Sequence, residues 1–97
     1  MEMLNVADYY VSKAEVERLL ELYRDGETLR VHRTAIVFLK FAGVAAFNGD
    51  MPHAINAAVQ AREVMLSDPD SFPAFKASSA YSSPTVNLDG GKMVNML

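Results

Sequence analysis

Between Thr34 and Phe47 the chain reads TAIVFLKFAGVAAF, an apolar run broken by a single charge, Lys40. The run is shorter than the roughly 20 apolar residues that cross a bilayer, and arginines on one side and Asn48-Gly49-Asp50 on the other bound it. It therefore predicts a buried helix rather than a membrane span. At about 100° per residue, Val31, Thr34, Ala35, Phe38, Phe41, Ala42 and Ala45 share one face, and Leu29, Ile36, Leu39, Gly43 and Phe47 share another. Two such faces require two packing neighbours. Between them runs a narrower stripe of Arg33, Val37, Lys40 and Val44, half-exposed, in which the basic stems cover apolar surface and hold their charges in water. This stripe is the expected place for a partner to dock.

The flanking segments supply the neighbours. Ser12-Lys13-Ala14-Glu15 has the form of a capping box: the serine hydroxyl accepts from the amide of Glu15, and the glutamate reaches back to the amide of Ser12. Val11 and Val16 stand where a hydrophobic staple would place them. A helix over 13–25 follows, with Val16, Leu19, Leu20 and Tyr23 as its apolar stripe and Glu15, Arg18, Glu21 and Arg24 as a solvated charged face, closed by Asp25-Gly26. The central helix spans about 28–48. A third covers 51–67, capped by Asp50 with Pro52 in its first turn, facing Met51, Ala54, Ala58, Ala61 and Met65 inward and Asn56, Gln60, Glu63 and Ser67 outward. Its alanines, set against Phe38 and Phe41, predict a tight antiparallel hairpin.

Residues 1–11 are expected as an extended arm or short turn. After Asp68-Pro69-Asp70 a C-terminal extension, 70–97, has room for a short helix from Pro73 to about Tyr81. A β-hairpin around Asp89-Gly90-Gly91 would place Val86 opposite Val94. The expected fold class is all-α: a three-helix core plus this extension, in a single domain over 1–97.

Phe38, Phe41, Ala42 and Ala45, then Gly49-Asp50, then Ala54, Ala58 and Ala61, follow a spacing that resembles a single tetratricopeptide-like helical hairpin over residues 35–69. Ala45 and Ala58 stand where that pattern has large aromatics, and Pro69 falls about three positions late. The resemblance implies a peptide- or protein-binding module and carries no implication of catalysis.

Composition sharpens the picture. Hydrophobic residues make up 51% of only 97, a heavy apolar load for a body with little interior, so self-association is expected, most simply as a dimer. The net charge of −3 disfavours general attraction to nucleic acid or anionic membrane. Cysteine is absent, which removes disulfide and thiolate chemistry and suits the cytoplasm; the N-terminal MEMLNVADYY has no secretory h-region.

No stretch carries a recognisable catalytic or cofactor motif. His32 and His53 stand far apart and outside any metal-ligand spacing, which favours capping or exposed roles. The serines from Ser78 to Ser83 lack a nucleophile elbow, Asp89-Gly90-Gly91-Lys92 lacks the full phosphate-loop spacing, and Asp68 with Asp70 is a helix terminator rather than a calcium loop. The reading is a non-enzymatic interaction module, a small regulator, inhibitor or assembly factor. Its protein interface combines Arg33, Val37, Lys40 and Val44 with Val86, Leu88 and Val94 of the extension. Two alternatives stand beside it: a nucleic-acid-binding regulator using Arg24, Arg30, Arg33 and Lys40, and a structural subunit of a larger assembly.

Overall fold

Ser12 turns the chain sharply at the start of the core. In the computed structural model, which describes the backbone from residue 2 to 82 and side chains from residue 6 to 82, its hydroxyl accepts the Glu15 amide N–H at 3.2 Å and opens helix α2 (Lys13–Arg24). Its backbone sits at φ 121° and ψ 137°, where a β-carbon is crowded and glycine is at ease. On the other side of this corner, the expected arm is a helix, α1 (Glu2–Tyr10). Val6, Ala7 and Tyr10, at helical spacing, bury one face of it against the body, and that burial stabilises a segment too short to be helical alone.

Glycines close the next two helices in the same way. Gly26 takes φ +71° and donates to the Tyr23 carbonyl while Glu27 donates to Leu22; Gly49 takes φ +80° and donates to Ala46 while Asp50 donates to Ala45. Each pair of bonds satisfies carbonyls that a helix end leaves open. Helix α3 (Arg30–Phe47) begins two residues later than the spacing suggested, because the Leu29 amide donates to His32 Nδ1 at 2.9 Å and fixes the start there. Helix α4 (Met51–Ser67) follows at once, with Asp50 accepting the His53 amide at 3.3 Å.

The α3–α4 hairpin forms the centre of the body. Ala35, Ala42 and Ala46 of α3 and Ala54, Ala57, Ala58 and Ala61 of α4 are buried, with Phe38 half-buried among them. Phe41 does not join them; it is 63% exposed. Alanine lines both sides of the contact, so the backbones close on each other and leave no gap for a second ring. Met51, expected inward, is 38% exposed at the head of α4, and Arg62, not expected on the inward face, is buried.

Beyond α4 a 3₁₀ turn (Pro69–Ser71) leads to two single-turn helices, α5 (Pro73–Lys76) and α6 (Ser79–Ser82). The single helix expected over 73–81 is divided at Ser78, whose amide and hydroxyl both donate to the Phe75 carbonyl and end the first turn. Phe72 and Phe75 are the largest wholly buried side chains, so this segment is part of the core. The fold is all-α, and among the described residues every regular element is helical. The expected β-hairpin, with Val86, Leu88 and Val94, lies outside the described residues.

Candidate functional site

Two groupings stand out, one inside the body and one on its surface. The inner one starts from Glu15, read in the sequence as part of a solvated face and as half of a reciprocal capping box. Its side chain is wholly buried and reaches the other end of the chain. Oε1 accepts the Phe75 amide at 2.9 Å, and Oε2 accepts from Arg18 Nη1 at 2.8 Å. Arg18 also lies 3.4 Å from the Ser71 carbonyl, which accepts from His32 Nε2 at 2.8 Å. Because His32 Nδ1 already accepts from Leu29, the proton sits on Nε2, and the imidazole bridges the start of α3 to the 3₁₀ turn in one tautomer. On the far side, Arg62 donates from Nε to the Ala80 carbonyl at 3.0 Å; burial pushes its guanidinium below its ordinary range.

These polar side chains bind backbone groups of residues 71–81, so they fasten the C-terminal segment to α2, α3 and α4. Among the described residues no buried side-chain nitrogen or oxygen lacks a partner. Chemically the grouping is a clamp: its acceptors and donors are already engaged by the chain. His53, the other histidine, is exposed and bound to Asp50 Oδ2 at 2.6 Å as part of the α4 cap, which holds the Asp50 carboxyl below its ordinary range.

The outer grouping is built on the exposed side of α3. Arg33, Val37, Lys40 and Val44 all face outward, with Val37 51% and Val44 61% exposed. Phe41 belongs with them: it lies only about 40° from Val37 on the helical wheel, so the sequence did carry the signal, which the pull of its neighbour Phe38 obscured. Phe47 extends the strip at the C-terminal end of α3. Leu20 and Tyr23 of α2, expected as packed residues, are exposed beside it. Lys40 Nζ lies 5.4 Å from the centre of the Tyr23 ring, a cation–π contact that joins the two helices across the face. Beneath this contact, a shallow apolar slot opens between α2 and α3, lined by Val16, Leu19, Leu20, Ile36, Leu39 and Lys40.

The charges on this face are distributed unevenly. Arg33 donates from Nη1 to its own turn, the Thr28 carbonyl, at 3.1 Å. Arg33 and Lys40 take no part in the ion pairs found among the described residues, nor do the exposed Glu17 and Glu21 on α2. Arg24 and Arg30, the other members of the alternative nucleic-acid strip, are exposed on α2 and α3. None of the described helices is long and apolar enough to cross a membrane. Comparison with protein-family models, with curated proteins and with solved structures returns no match in any of the three.

Proposed function

We propose that the chain is a non-enzymatic protein-interaction module, a small cytoplasmic regulator, inhibitor or assembly factor, whose docking surface is the outer strip of α3 with Leu20 and Tyr23 of α2. The observation that supports this reading is the open apolar row of Val37, Phe41, Val44 and Phe47 on a helix whose opposite side is packed into the core. Exposing that much apolar side chain in one row costs solubility unless something covers it. The tetratricopeptide-like spacing over residues 35–69 points the same way, as a resemblance to a peptide-binding hairpin.

Nucleic acid binding through Arg24, Arg30, Arg33 and Lys40 is the less favoured reading, because phosphates would meet the charges and leave the apolar row uncovered. The test compares tagged wild-type chain with a Phe41→Glu variant as bait in cells of the source organism. A defined protein, including untagged copies of the chain itself, held by wild type and lost by the variant supports the reading. The same proteins held equally by both overturn it.

A further inference from the structure

Resting on the reading of the strip as a protein interface, we infer that its occupant is a second copy of this chain, related by a two-fold axis, with Glu17 and Glu21 of α2 in one copy facing Arg33 and Lys40 of α3 in the other. The first support is area. At about 200 Å² for a fully open aromatic side chain, Tyr23, Phe41 and Phe47, exposed by 53%, 63% and 86%, leave about 400 Å² uncovered. Leu20, Val37, Val44 and Met51 add to this. The total passes the few hundred Å² a monomer ordinarily leaves open and approaches the roughly 800 Å² each partner gives to a standard interface.

The second support is charge. Among the described residues, Arg33 and Lys40 on the apolar strip of α3 take part in no ion pair, and neither do Glu17 and Glu21 on the exposed side of the adjoining α2, which they share with Lys13 and Arg24. A two-fold operation brings one patch onto its own copy, so a surface carrying both signs can satisfy itself twice over. A nucleic acid would meet the cations and leave the apolar row uncovered, and an anionic lipid surface, which offers both apolar cover and negative charge, would be repelled by the exposed Glu17 and Glu21 and by the net charge of −3.

Sedimentation equilibrium of the full chain over a dilution series tests this. Wild type is expected at twice its 10.7 kDa mass at micromolar concentration, and Val44→Glu at the single mass with unchanged helical circular dichroism, its association weakened on the order of a hundredfold by the desolvated carboxylate. Charge reversal then tests the pairing: Arg33→Glu with Lys40→Glu, and separately Glu17→Lys with Glu21→Lys, should each weaken self-association by about tenfold or more. A mixture of the two should associate as strongly as wild type, since opposite charges then meet at both contacts.

A wild-type chain that stays at its single mass overturns the second copy as occupant. In that case Phe41→Glu still decides the interaction reading by its own effect on captured proteins. A wild-type dimer whose charge-reversed variants fail to pair with each other overturns the arrangement of α2 against α3.

Discussion

Replacing Glu15 with alanine should be among the most damaging changes to any charged residue in this protein, although the sequence alone places it on a solvated face. The substitution removes an acceptor that holds the Phe75 amide at 2.9 Å and Arg18 at 2.8 Å from a wholly buried position. A hydrogen bond to a charged group contributes about 1.5–3 kcal/mol, and a buried donor left without a partner costs about 1–3 kcal/mol. Arg18 is 34% exposed and can turn to water, so its share is discounted, and the net loss is about 3 kcal/mol. For a domain whose whole stability is on the order of 5–15 kcal/mol, that is a large part.

Urea unfolding followed by far-UV circular dichroism measures it: with a slope of about 1–3 kcal/mol per molar, the midpoint should fall by roughly 1–3 M. Glu15→Gln keeps a neutral acceptor for the Phe75 amide and should lose about half as much. Hydrogen exchange supplies the local readout, since the Phe75 amide should lose protection in Glu15→Ala before the amides of the α3–α4 hairpin do. A midpoint within experimental error of wild type, with the Phe75 amide still protected, would refute the clamp.

Phe75→Ala should cost about 3–5 kcal/mol in the same assay, whereas Phe41→Ala, on the open side of α3, should cost under about 1 kcal/mol in the monomer; equal losses would show that the outward placement of Phe41 is wrong. Ser12→Gly should raise stability by about 1 kcal/mol, because relief of a backbone strain of about 1–3 kcal/mol exceeds the few tenths lost with the cap, while Ser12→Ala should lower it by about 1 kcal/mol. Calorimetric melting temperatures of the two variants decide this, and a Gly variant less stable than wild type counts against the strained corner. Burial beside Tyr9 raises the Tyr10 phenol above its ordinary value of 10.0. Its neutral form therefore supports the fold fully below that pH, and the support is lost as pH rises through the higher folded value. Thermal melts between neutral and strongly alkaline pH should show a decline that Tyr10→Phe reduces, and an identical decline in both chains argues against Tyr10 as its source.

Periodicity alone carried the long helices to within two residues at each end, because caps and closing glycines are local: Ser12, Gly26, Gly49 and Asp50 act on amides and carbonyls only a few positions away. The same periodicity also held information that side-chain chemistry overrode. Glu15 stands between Val11 and Leu19 at four-residue spacing, and Arg62 is four after Ala58 and three before Met65, so both lie on buried faces. Their charge made the solvent side look natural. What justifies burying them is a set of backbone groups far along the chain, at Phe75 and Ala80, and no window of sequence shows such a pairing. The stripe at Arg33, Val37, Lys40 and Val44 was legible because it depends on one helix only. The presence of Leu20 and Tyr23 beside it was not, since it depends on how α2 lies across α3.

The bond between Glu15 and Phe75 joins positions 60 residues apart, and this has a bearing on how the protein is made. At about 5–20 residues per second, a ribosome needs roughly 3–12 s to add the residues that separate the two. During that interval α2 and the α3–α4 hairpin can already be helical, because their contacts are local, but the carboxylate of Glu15 has Arg18 and water for partners in place of the Phe75 amide, and Phe72 and Phe75 have not yet entered the core. A chain stalled before Phe75 would display the cleft meant for these rings together with the outer strip of α3. The arrival of residues 71–81 therefore closes the clamp and converts a sticky nascent hairpin into a packed core.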